Sequence, residues 1–189
     1  MGTNTTGSDN TAVGKDALGN NTTADANTAI GYLAALNNTT GTQNVAVGWW
    51  AYKVATTGSY NTAVGTMAGV SQTTGNRNAL FGNSAGSGLT TGSDNTLLGY
   101  KAGNAITTAD NNTAIGKESL YSNTTGAANV AIGRESLYSN TTAHANTAVG
   151  YIALYANTTG ANNSALGSNA LLGNTTGDQN TAVGHDALE

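Results

Sequence analysis

Cysteine and proline are absent from the 189 residues, and only 8% of the side chains are charged. Without cysteine there can be no disulfide framework, a condition that suits an extracellular chain and a cytosolic one equally. The low charge, with no proline, excludes a typical disordered acidic or basic tail. Six Lys and Arg scattered against ten Asp and Glu, for a net charge of −4, leave no basic stripe to neutralise phosphates. Nucleic acid is therefore not an expected partner. Gly, Thr or Asn interrupts every apolar run, so no membrane span is expected either.

What the chain has in abundance is 32 Thr, 26 Asn and 26 Gly, and these are not scattered. "ESLYSNTT" occurs at Glu118 and again at Glu135, seventeen residues later. From Asn10 an asparagine recurs at 27, 44, 61, 78, 95, 112, 129, 146, 163 and 180, with no insertion or deletion. A constant short period is the signature of a solenoid, whose units contact mainly their neighbours. Residues 1–189 therefore read as one repeat array, with a partial coil over 1–9, full coils from Asn10 and a partial last coil over 180–189. Both ends cut the repeat, and the expectation is a fragment of a longer fibre.

Numbering slots from the asparagine, slot 1 is Asn and slot 5 Gly in all eleven repeats, and slots 13 and 14 are Thr-Thr. Slot 3 is Ala except for Leu80 and Leu97, whereas slot 4 is Val, Ile, Leu or Phe. Neighbouring residues of a strand point to opposite faces, so "NTAVG" reads as a short strand apolar on both sides. Slot 8 is Ala or Ser and slot 9 mostly Leu, as at Leu18, Leu120, Leu137 and Leu154, which predicts a second short strand through "ALYS". A helix there would have fewer than two turns between glycines and Thr-Thr. The fold class is thus all-β: a parallel β-solenoid, or β-roll, of about eleven 17-residue coils, roughly 50 Å long at about 4.8 Å per coil.

The skeleton columns have architectural explanations. The slot 5 glycine suits a corner needing positive φ or close approach of another backbone. The slot 1 asparagine can take a left-handed corner or stack as an amide ladder, and Thr-Thr-Gly suits a turn followed by a left-handed residue. Each coil offers only about one Val or Ile, one Leu and two Ala for burial, a thin core against the entropy of ordering seventeen residues. One face of the slot 3–4 strand can fill the coil while the other meets a second copy, so a homo-oligomer is predicted, with slot 4 side chains forming rings around a shared axis.

The pattern "NTAVGxxALxxNTTGxx" resembles repeats of bacteriophage tail fibres and of bacterial surface proteins that often end in an endosialidase-type intramolecular chaperone. It is similar, more distantly, to the "NSVAIG"-type head repeat of trimeric autotransporter adhesins, whose period is shorter. The resemblance covers essentially the whole chain. It implies a left-handed roll packed as a homotrimer, an extracellular location on a virion tail fibre or a bacterial surface, and a role as a stiff spacer or an attachment segment. It brings no catalytic residue and no cofactor.

Candidate contacts lie in the variable columns. Slots 6, 7, 10, 16 and 17 are expected to be exposed. Tyr121, Tyr138 and Tyr155 share slot 10 in successive coils and would either stack on sugar rings of a glycan or cover the leucine column beside them. Trp49, Trp50 and Tyr52 form the densest aromatic cluster, near Tyr32 and Tyr60. Adjacent tryptophans cannot both point inward from one strand, so at least one should reach the surface or a partner chain. Lys117 over Arg134 and Glu118 over Glu135 are expected to offset one another diagonally.

In the fourth to sixth coils slot 9 becomes Gly69, Gly86 and Gly103 while Leu89 and Ile106 appear at slot 12, which predicts a repacked section, a waist or a recess. His144 and His185 are isolated, and the carboxylates lack calcium-loop spacing, so neither a metal site nor a Ser/His/Asp nucleophile is expected. "NTT" at Asn21, Asn38, Asn123, Asn140, Asn157 and Asn174 matches the glycosylation pattern but simply repeats the turn. The main expectation is a non-catalytic structural and adhesive fibre segment that meets itself and a cell-surface glycan. The alternative is an ice-binding solenoid using threonine columns, with slot 2 as a second rank beside Thr-Thr.

Overall fold

The computed structural model of the chain describes residues 3–189. Eleven three-residue strands, from Thr11–Val13 (β1) to Thr181–Val183 (β11), form one parallel sheet in sequence order. Each strand pairs in register with its counterpart seventeen residues on: Thr11 lies beside Thr28, Ala12 beside Ala29 and Val13 beside Ile30. That register runs without slip to Ser164, Ala165 and Leu166 against the last strand. The chain is an all-β parallel solenoid, and its described residues contain no helix.

The pleat puts alanine inside and the larger residue outside. Ala29, Ala46, Ala63, Ala114, Ala131 and Ala148 are fully buried, whereas slot 4 faces out, half-buried at Val47, Val64, Ile115 and Val149 and exposed elsewhere, up to 68% at Val183. The slot 3–4 strand is therefore covered on one face only within a single chain, and where slot 9 carries a leucine only a methyl group fits beneath the sheet. Leu18, Leu120, Leu137 and Leu154 of slot 9 and the slot 8 Ala or Ser residues close the coil from the other side.

The second strand expected through slots 8–11 does not form. Slots 7 and 9 both sit in the left-handed region, as at Glu118 (φ 55) and Leu120 (φ 51), and curl the chain where a strand would extend it. Two successive turns result: Ser119 N–H donates to Gly116 O at 3.4 Å and Asn140 N–H to Leu137 O at 3.3 Å one coil later. Left-handed geometry is unfavourable for a leucine. It is held because the neighbouring coil completes the hydrogen bonding, Leu120 N–H donating to Ser136 O at 2.9 Å.

At slot 5 both reasons for glycine hold. Gly14 has φ 121, and a Cβ there would lie 2.7 Å from Gly31 O. The left-handed corner before the strand falls on slot 17, as at Ala128 (φ 58), and slot 1 is free of it. The slot 15 glycine does not take the left-handed conformation expected after Thr-Thr, and Ala24, Ala109 and Ala143 occupy that slot equally well.

Candidate functional site

Two asparagine ladders run up the interior. At slot 1 the backbone N–H donates to the Oδ1 of the coil before, and in most coils Nδ2 does so as well: Asn129 N–H and Nδ2 reach Asn112 Oδ1 at 3.0 and 3.2 Å. Asn129 Nδ2 also reaches Ala143 O at 2.9 Å, and Asn129 Oδ1 accepts from Asn146 N–H at 3.0 Å. The amide ladder expected for this column is thus present. A second ladder, at slot 12, was not legible, because "NTT" reads as a surface turn. Asn123, Asn140 and Asn157 are fully buried there, with Asn140 Nδ2 on Asn123 Oδ1 at 2.9 Å and Asn157 Nδ2 on Asn140 Oδ1 at 3.0 Å. These glycosylation-like asparagines are core residues. In the first coils only Asn21 Nδ2 on Asn4 Oδ1 at 2.9 Å joins this column; Oδ1 of Asn21 and of Asn38 have no partner among the described residues, and the coil after Asn38 carries Ala55 in that slot.

The third to sixth coils exchange volume between slots. Tyr52 replaces the slot 9 leucine, is fully buried, and accepts a hydrogen bond from Asn61 Nδ2 at 2.7 Å. Burial pushes its phenol well above the ordinary tyrosine range, against the opposing hydrogen bond from Asn61. Tyr52 therefore belongs to the core and not to the surface cluster in which its neighbours place it. Above it, Leu80, Leu97, Leu89 and Ile106, all fully buried, fill the space vacated at Gly69, Gly86 and Gly103. The section is repacked, and no recess or cavity is found among the described residues.

The tyrosine column and the tryptophan pair lie past the slot 5 corner, on the turn-rich edge. Tyr121, Tyr138 and Tyr155 form a stack with ring centres 5.0 and 5.2 Å apart and planes within 4° and 11°. The coil spacing imposes this separation, and the rings cover one another's faces. Lys101 lies 6.0 Å from the centre of the Tyr121 ring at one end. The column is half-buried, so it offers ring edges and hydroxyls rather than open faces. Desolvation, reinforced by the neighbouring tyrosines and by Glu118 and Glu135, raises the Tyr138 phenol.

Trp49 and Trp50 both lie outside the coil. Their rings stack at 4.1 Å and 9°, Trp49 being 43% exposed and Trp50 half-buried with its indole N–H unpartnered among the described residues. Lys53 Nζ sits 3.9 Å from the Trp50 ring centre. Tyr32 faces Trp49 at 6.5 Å, a looser, offset stack, and Lys15 Nζ lies 5.9 Å from the Tyr32 ring. Two further exposed tyrosines of slot 6, Tyr100 and Tyr151, belong to the same edge; they were legible in principle as a column shared with Tyr32 and Trp49.

The expected diagonal pairs instead close within a coil: Lys117 meets Glu118 at 3.4 Å and Arg134 meets Glu135 at 2.9 Å, whereas Arg77 meets Asp94 of the next coil at 2.6 Å. At slot 16 the side chain accepts the backbone N–H of the preceding coil, as Asp110 does from Ser93 at 2.7 Å and His144 from Ala127 at 2.9 Å. His144 is thus placed as a hydrogen-bond acceptor in a structural column.

No protein family, curated protein or solved structure matches the chain.

Proposed function

We propose that the chain is a stiff, non-catalytic fibre segment, a left-handed roll that assembles as a homotrimer through the outer face of its sheet. In this reading it spaces, and itself contributes to, attachment at a cell-surface glycan, on a virion tail fibre or a bacterial surface. The observation that carries it is the unbroken outward column of slot 4. Val13, Ile30, Val47, Val64, Phe81, Leu98, Ile115, Ile132, Val149, Leu166 and Val183 stand on one sheet in register, over a core whose apolar side chains are mostly alanine and leucine. An apolar column of that length along a flat parallel sheet is the kind of surface that homo-oligomers cover. Light scattering tests the assembly. Three times the chain mass of 18.8 kDa is expected, and a monomer at micromolar concentration would overturn it.

One observation favours a second reading. Thr11, Thr28, Thr62, Thr96, Thr113, Thr147 and Thr181 at slot 2 share the outward face with slot 4 in register, interrupted by Val45, Ala79, Val130 and Ser164, giving part of the hydroxyl and methyl rank that ice binding uses. The Thr-Thr pair does not widen it. Thr124 of slot 13 is half-buried with its hydroxyl donating to Thr141 O at 3.1 Å, and only Thr125 of slot 14 is exposed. Thermal hysteresis at high protein concentration decides, and its absence removes this reading.

A further inference from the structure

We infer that the aromatic step in the first three coils is a binding site for an acidic glycan, one whose sugars carry a carboxylate. The inference rests on the attachment reading and adds the class of sugar. The two aromatic groups of the rod differ in what they leave open. In the tyrosine column the rings close on one another at 5.0 and 5.2 Å. Between Tyr32 and Trp49 the centres are 6.5 Å apart and the planes are tilted by 19°, and both side chains are at least 40% exposed. An offset step of this kind leaves part of the Trp49 face available to the C–H side of a sugar ring.

The charges differ as well. Beside the tyrosine column two of the three cations are neutralised, Lys117 by Glu118 and Arg134 by Glu135, leaving only Lys101 at one end without an ion pair among the described residues. Lys15 and Lys53 flank the tryptophan step from either end, and no carboxylate among the described residues lies within ion-pairing distance of them. Asp16 is next to Lys15 in the chain but makes no ion pair with it. Two unpaired ammonium groups on an aromatic platform, in a chain whose net charge is −4, would select a ligand that brings both an apolar ring face and a negative charge. A carboxylated sugar has both.

Trp49 and Trp50 are the chain's two tryptophans, so tryptophan fluorescence reads this platform alone. The full chain is titrated with a hyaluronan oligosaccharide, which carries glucuronate, and with a neutral chitin oligosaccharide, in parallel with calorimetry. The expected result is a change in tryptophan emission with the acidic sugar, at affinity about tenfold above the neutral one. This preference is lost in about 0.5 M salt and in the double variant Lys15→Gln, Lys53→Gln, whose circular dichroism is unchanged. Equal binding of the two sugars would overturn the acidic class and leave glycan attachment standing. Heat of binding to the acidic sugar without a change in emission would place the contact elsewhere and overturn the site. Silence in both measurements with both sugars would overturn the site together with direct glycan attachment, leaving a spacer.

Discussion

A side-chain methyl of Leu80 lies 2.6 Å from where a Cβ on Gly69 would stand, so the leucine of one coil occupies the volume that the glycine of the coil before leaves empty. The same exchange links Leu97, Ile106 and Gly103, each methyl standing 2.8 Å from the glycine's would-be Cβ. The core is conserved as a total volume and not slot by slot, as close packing requires.

That exchange predicts strong coupling. Gly103→Leu alone should destabilise the rod by about 1–3 kcal/mol through overpacking, and Leu97→Ala alone by about 2–5 kcal/mol through the cavity it leaves. Combining them with Ile106→Asn recreates the Ala114, Leu120 and Asn123 arrangement of the next coil and should recover most of the loss. Urea unfolding of the single and triple variants measures the coupling, and additive losses would contradict it.

The asparagine ladder should be costly to interrupt. Asn129→Ala removes the acceptor of Asn146 N–H and a donor to Ala143 O, both buried. With about 1–3 kcal/mol for each buried group left unpaired, a loss of about 3 kcal/mol is expected. Because the array is quasi-one-dimensional, hydrogen exchange should quicken in the coils around Asn129 before the ends are affected.

The tyrosine stack should act through its middle ring. Tyr138→Ala removes both ring contacts and should cost about 1–3 kcal/mol, whereas Tyr155→Ala, at the end of the stack, should cost about half that. Thermal unfolding of the two variants provides the comparison.

Tyr52 sets an alkaline limit. Its folded-state pKa lies above the unfolded value, so the folded chain holds this proton more tightly. The stabilisation is complete below about pH 10 and is lost as pH rises above that. Absorbance titration should show one of the eight tyrosines ionising only as the chain unfolds. Tyr52→Phe should flatten the fall in stability at high pH at a cost near 1 kcal/mol, since Asn61 Nδ2 keeps Gly75 O at 2.9 Å as a partner.

In the proposed assembly the outer slot 4 column forms the contact between chains. Ile115→Lys with Ile132→Lys should reduce the mass measured by light scattering to that of a single chain while the β-sheet circular dichroism persists. Unchanged mass in the double variant would show that this face is not the interface.

The seventeen-residue period by itself determined that the chain is a solenoid whose strands stack in parallel and in register, because an unbroken period sets each residue beside its own counterpart in the next coil; whether the slot 1 asparagines stack as a ladder or turn a left-handed corner it left open. The tertiary structure alone decided which face of "NTAVG" turns inward. Both faces are apolar, and it is the slot 9 side chain filling the coil that selects alanine, since Leu80 and Leu97 turn inward where slot 9 is glycine. It also decided that "ALYS" turns rather than extends: left-handed leucines are unfavourable locally and persist only because the next coil completes their hydrogen bonds. Likewise it moved Tyr52 and the "NTT" asparagines into the core. The first fills the space beside Ala55, and the second pair with one another across coils, relationships that no single repeat contains.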